Sequence, residues 1–154
     1  HNSRVLKPTK PLERTCNCRD RSKCPLNNEC LTPAIVYQAH VTHQASTSTY
    51  YGMCETTFKE RFSVHKSSFK LAHKRKDTKL SDFIWDLKGK NIDYSIVWRT
   101  VTRAAPLKNG GNSCGLCLAE KLTILKGDTS KMLNKRTEIV NKCPHARKYM
   151  LKKV

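Results

Sequence analysis

The sequence has no apolar run near the ~20 residues that span a bilayer, so no membrane helix is expected. It is short of acids: 12 Asp plus Glu stand against 30 Lys plus Arg, a formal charge of +18. An imbalance of that size concerns partners rather than fold, and it calls for an anionic partner. A lipid surface requires a basic amphipathic helix with a clean apolar face. Here the charge is spread through termini, loops and helices, which favours nucleic acid and no membrane. A solubilising basic surface is the plain alternative. The chain also lacks internal repeats, low-complexity tracts, an initiator Met and a signal-peptide pattern. Its start, His1-Asn2-Ser3-Arg4, is expected to be the edge of a piece of a longer protein.

What is present fits one ordinary domain of 154 residues with a small appendage. Residues 1–15 are basic, carry Pro8 and Pro11, and read as an extended arm in which Arg4, Lys7, Lys10 and Arg14 track a phosphate backbone. Cys16, Cys18, Cys24 and Cys30 follow, with a spacing that suits a compact tetrahedral zinc site. So few apolar residues lie between them that the segment needs a staple to fold. Pro25 and two Asn help the chain turn. Two disulfides or free thiols are the alternative, and clusters of this kind bind metal more often in a reducing compartment.

The pattern beyond residue 34 predicts an α+β domain. Residues 35–42 alternate as a strand, with Ile35, Tyr37, Ala39 and Val41 on one face. His43 to Ser48 reads as a hairpin loop and Thr49 to Cys54 as a second strand. Gly52 inside it marks a bulge or a close backbone approach. Glu55 to Phe69 reads as a helix with a Thr57-x-x-Glu60 capping box. It carries Phe58, Phe62 and Phe69 on one stripe, and Arg61 and His65 one turn apart. A basic loop over 70–79 leads to an amphipathic helix with Leu80, Phe83, Ile84 and Leu87, ended by Gly89. Tyr94 to Val101 is apolar on both faces, which predicts a central strand. After a 106–113 loop, Cys114-Gly115-Leu116-Cys117 opens a helix that Gly127 breaks. Met132 to Lys142 reads as a last short helix.

This order of motifs resembles the GIY-YIG nuclease fold over about residues 34 to 140. Ile35-Val36-Tyr37 stands at the first tripeptide and Tyr50-Tyr51-Gly52 at the second. Arg61 lies eleven residues after Tyr50 and His65 four after that; Glu120 follows on a later helix, with Asn134 fourteen further on. The first Gly is Ile35 here and the second Ile is Tyr51. The flanking cysteines, the segment from Leu80 to Lys88 and Leu133-Asn134-Lys135-Arg136 are similar to endonuclease domains of Penelope-like retroelement reverse transcriptases. The resemblance implies a small three-stranded antiparallel sheet flanked by helices, with residues 1–33 as a basic arm and four-cysteine zinc module, and residues 34–154 as the nuclease domain with a basic tail. It implies a DNA endonuclease using one Mg²⁺ or Mn²⁺ at Glu120. A covalently linked reverse transcriptase, its template RNA and a nuclear location come with it. A degenerate zinc-containing DNA-binding module, or a repair or restriction nuclease of the same fold, are the competing expectations.

Under that resemblance Tyr37 is the candidate base, short of help at a free pKa near ~10. Tyr50 orients water or phosphate, while Tyr51 faces the other way by strand alternation. Arg61 offers a fork of donors to a phosphate, His65 contacts phosphate or assists proton transfer, and Asn134 braces the site. Glu120 lies between Leu116 and Ile124, and Leu118, Leu122 and Leu125 form a second stripe. A helix apolar on two sides should be largely buried, where a lone carboxylate is costly and a cation offsets the cost. Each residue has a plain alternative: core tyrosine, solvated arginine, structural histidine, ion-paired glutamate. Cys114, Cys117, Cys143 and His145 make a second candidate zinc site that pins Glu120 and Asn134, with free thiols as its alternative. Cys54 is left as a buried thiol.

Overall fold

A computed structural model describes residues 14–104, 114–135 and 143. The basic arm up to residue 13, the 106–113 loop, residues 136–142, His145 and the basic tail lie outside the described residues. The architecture is α+β: β1 (Pro33–His43), β2 (Ser46–Thr57), α1 (Phe58–Lys70), a 3-10 turn (Ala72–Asp77), α2 (Lys79–Gly89), β3 (Tyr94–Arg103) and α3 (Gly115–Lys126). The strands form one antiparallel sheet in the order β2-β1-β3.

β1 is central because its sequence is apolar on both faces where it matters. Ile35, Val36 and Tyr37 are all fully buried. Ile35, Tyr37, Ala39 and Val41 face a core shared with Tyr50, Phe58, Leu80, Ile84 and Leu87, while Val36 packs on the other face with Leu116. The strands run longer than the alternation predicts, since the expected 43–48 loop shrinks to a turn at Gln44-Ala45. Gln44 takes a left-handed φ of 50°, as a two-residue hairpin turn of the favoured twist requires. α1 starts three residues later than expected because β2 continues to Thr57, whose hydroxyl then accepts the Glu60 amide. Thr78 and Ser81 form a reciprocal capping box that starts α2.

β3 overturns its expectation. It is an edge strand, not a central one. Tyr94, Ile96 and Trp98 pack on the core, but Val97 and Val101 on the second face are 57% and 40% exposed. Among the described residues no element covers that face closely enough to bury them, so composition overstates burial. α3 corrects the same inference: Leu116 and Ile124 are buried, whereas Leu118, Leu122 and Leu125 are about half exposed. The last expected helix does not begin at Met132. That residue instead forms a parallel bridge with Thr49 on the outer edge of β2. Between α1 and α2, the expected loop holds the 3-10 turn.

Residues 14–32 sit on the same core. Cys16, Leu26 and Cys30 are buried within it, and the Lys59 amide at the start of α1 donates to the Cys30 carbonyl at 2.8 Å. Asn27 and Asn28 adopt left-handed φ values of 50° and 68°, which Asn tolerates, and the chain doubles back between Cys24 and Cys30.

Strand register places Gly52 directly opposite Tyr37. A Cβ at Gly52 would collide with the Tyr37 hydroxyl and lie 2.6 Å from its Cζ. Of the two expectations for Gly52, the close approach holds; the β1–β2 register shift lies elsewhere, between Pro33 and Ile35. Gly52→Ala should therefore destabilise the fold by about 1–3 kcal/mol, the usual cost of overpacking. Urea denaturation measures it, and a change below about 0.5 kcal/mol, typical of a neutral surface site, would refute the packing argument.

Candidate functional site

β1 carries Tyr37 inward, β2 carries Tyr50 inward, and α1 lays Arg61 and His65 over them. The Tyr37 hydroxyl lies 2.7 Å from His65 Nε2, and Arg61 Nε donates to it at 3.2 Å. Tyr37 and His65 are both fully buried. His65 Nδ1 has no hydrogen-bond partner among the described residues. Which of Tyr37 Oη and His65 Nε2 donates is set by the imidazole tautomer. Arg61 Nε is the donor fixed on the phenol oxygen. Burial, reinforced by the Arg61 charge, lowers the His65 pKa to about 3, so the ring is neutral. Its complete burial keeps the ring from solvent in the DNA-free protein.

Arg61 is the hub. Burial opposes its charge, but Tyr37 and then Tyr50, through charge and hydrogen bonds, hold its pKa above the ordinary value. Tyr50 is 8% exposed, with its ring edge-on to His65 at 6.1 Å. Tyr37 is held above the usual phenol range by burial first and Tyr50 second; Arg61 works against both. The cation the phenol needs is thus present, yet burial outweighs it and Tyr37 is a neutral phenol. Glu120 lies on α3 between the buried Leu116 and Ile124. Burial raises its carboxyl pKa and the Arg61 charge opposes the rise. Arg61 thus hydrogen-bonds Tyr37, and its charge acts on Tyr50, His65 and Glu120.

Asn134 is not among them. Its side chain clamps the Tyr51 backbone, accepting the amide at 2.7 Å and donating to the carbonyl at 2.8 Å. Together with Thr49 bonds to Lys131 and Leu133, it ties residues 131–134 to the outer edge of β2. Asn134 thus holds the strand that presents Tyr50. Tyr51 faces the opposite side of the sheet, where its hydroxyl accepts from Gln38 Nε2 at 3.4 Å. Sequence reading overlooked Trp98, whose ring lies 5.2 Å from His65 and 5.9 Å from Tyr37. A lone Trp at an inward position of β3 was the signal.

The cysteines form two groups. Cys16, Cys18, Cys24 and Cys30 bring their sulfurs within 4.8 Å of one another, as do Cys114, Cys117 and Cys143. Cys16 to Cys30 and Cys18 to Cys30 are each 3.7 Å apart. Zn–S bonds of about 2.3 Å in a tetrahedron give an S···S edge of about 3.8 Å, whereas a disulfide needs about 2.05 Å. None of the eight cysteines is in a disulfide, and the first set fits zinc; the second supplies three ligands. Backbone amides of Cys18 and Cys117 donate to the sulfurs of Cys16 and Cys114, as suits thiolate ligands. Cys54 is a buried thiol belonging to neither group.

Compared with known proteins, the chain matches no family model, no curated protein and no solved structure. The site's meaning therefore rests on its own geometry and on the order of its motifs.

Two outcomes follow. The purified protein should carry about two zinc ions per chain by elemental analysis, with Cys16→Ser and Cys117→Ser each removing one; no zinc would refute both clusters. For His65, a folded pKa of about 3 against about 6.5 unfolded means the unfolded chain binds the extra proton. Its contribution is complete above pH ~6.5 and is lost as pH falls towards ~3. The difference in unfolding free energy between the wild type and His65→Gln should shrink across that window. A pH-independent difference would contradict a neutral buried imidazole.

Proposed function

We propose that this chain is a divalent-metal-dependent DNA endonuclease of the GIY-YIG type, hydrolysing a phosphodiester bond in the service of a retroelement. The observation that carries this reading is the buried Tyr37 hydroxyl bound by Arg61 and His65, with the Arg61 charge acting on Tyr50 and Glu120. The β2-β1-β3 sheet with Arg61 and His65 on the following helix is consistent with it.

In this reading Tyr37 takes a proton from the attacking water. To act as that base it must first lose its own proton to solvent; the Arg61 donor on its oxygen favours this phenolate, which becomes the neutral phenol on accepting the water's proton. DNA binding must open the buried hydroxyl to that water. Tyr50 orients the water or the phosphate. Arg61 is released in part from the tyrosines to meet the charge that develops on the phosphate oxygens. Glu120 is a half-buried carboxylate whose burial is opposed by one cation, a donor that suits a single Mg²⁺ or Mn²⁺. That ion, when bound, supplies charge stabilisation to the phosphate and the leaving oxygen. The formal charge of +18 supports DNA as the partner. A linked reverse transcriptase with its template RNA, and a nuclear location, belong to the same proposal.

One observation favours the second reading, a zinc-containing DNA-binding module without catalysis. Tyr37 is fully buried, so its hydroxyl does not meet solvent in the DNA-free protein.

Supercoiled-plasmid nicking separates the two. The first reading expects nicking only with Mg²⁺ or Mn²⁺, lowered about 100-fold or more by Glu120→Gln and by Arg61→Lys, the scale seen when a transition-state donor is removed. Binding without cleavage under all metals supports the second. Cleavage that survives Glu120→Ala unchanged sinks the mechanism.

A further inference from the structure

The sheet face opposite Tyr37 carries a feature the nuclease reading does not use. Between β1, β3 and the C-terminal half of α3 lies a cleft of about 590 Å³. Its lining includes Gln38 and Tyr51, Arg99 and Lys126, Val101 and Leu122. No acidic side chain lines it among the described residues.

We propose that this cleft binds an unpaired nucleotide of single-stranded DNA. Four properties of the lining converge on that ligand. Its charge is of one sign: Arg99 and Lys126 are exposed and fit the phosphates on either side of a base. Its walls are apolar where solvent reaches them, with Val101 40% and Leu122 46% exposed, so a flat ring that covers them removes apolar surface from water. Tyr51 adds an aromatic side chain, and stacking on such rings is indifferent to base identity. Gln38 and Tyr51 supply amide and hydroxyl groups for a base edge. Their mutual hydrogen bond is long, at 3.4 Å, and leaves the Gln38 carbonyl free to accept.

A duplex does not satisfy this lining. Its bases are stacked inward and only its backbone reaches a groove walled by a helix and a sheet. An acidic peptide matches the two cations but gains nothing from the apolar walls and the amide. The volume lies in the usual range for a small-ligand site of ~300–1,000 Å³. Strand alternation sets Gln38 and Tyr51 on the face away from Tyr37 and Tyr50, while α3, which carries Glu120, also walls the cleft through Ala119, Leu122 and Thr123. Neither reading depends on the other.

The test is fluorescence anisotropy of the full chain with a labelled oligothymidylate of about twelve nucleotides, a common single-strand site size. No Mg²⁺ or Mn²⁺ is added, so cleavage does not enter and failure here leaves the nuclease question open. The double variant Arg99→Ala/Lys126→Ala should weaken binding about tenfold or more. Lys66→Ala/Lys70→Ala removes the same charge from exposed positions on α1 and should weaken it less than about threefold. An abasic strand of equal length should bind the wild type about fivefold more weakly than the oligothymidylate, and the Arg99/Lys126 variant should lose that preference. Thermal melts of both double variants, all four positions being exposed, establish that the fold is retained. Equal losses from the two double variants, or equal affinity for the abasic strand, would overturn the proposal. Tighter binding of an acidic peptide than of the oligonucleotide would also do so.

Discussion

The Tyr37 hydroxyl is the fixed point of this structure. It is held between Arg61 Nε and His65 Nε2, and it fits only because Gly52 lacks a side chain. That single oxygen ties the central strand to its neighbour and to the helix across them. Moving it would move all three. The surrounding rings of Phe58 and Trp98 leave no apolar slack, so the geometry is set by packing as much as by hydrogen bonds.

The same burial creates a tension. It stabilises the fold and fixes Arg61, yet it keeps Tyr37 a neutral phenol and His65 an uncharged imidazole. A catalytic role requires this packing to loosen where phosphate enters, and Arg61 is the group placed to respond. Its partners in the free protein are phenols, which are weaker partners for a guanidinium than a phosphate. The elements that hold this centre lie outside it. Residues 14–32 brace the start of α1 through Cys30 and Lys59, and Asn134 braces β2 through the Tyr51 backbone. The first brace includes Cys30, a member of the four-cysteine cluster, so that cluster is joined to the start of α1 by a backbone hydrogen bond.

Much of this was legible residue by residue. The alternation of Ile35, Tyr37, Ala39 and Val41 gave their shared face, the Phe58–Phe62 stripe gave the buried side of α1, and the cysteine spacing gave the clusters. Thr57 and Gly127 marked helix ends because their chemistry is local. The failures are equally specific. Val97 and Val101 looked like a strand buried on both faces, and Leu118, Leu122 and Leu125 looked like a buried stripe. Apolarity records what a residue tolerates, whereas burial depends on whether another element arrives. Met132 carried a helical pattern, but the free edge of β2 offered backbone partners and the pairing prevailed.

Residue order alone supplies the identities that chemistry needs: the tyrosines, the guanidinium, the carboxylate, the thiols and the positive charge. It also carries the local periods that sort side chains to one face or the other. Only the folded chain brings Tyr37 and Tyr50, from two strands, to Arg61 and sets Glu120 within reach of its charge. Only there does Asn134 become a backbone clamp and a cationic cleft open on the second face. Hydrogen-bond geometry and desolvation depend on which surfaces meet, and a sequence period specifies a face without specifying what covers it.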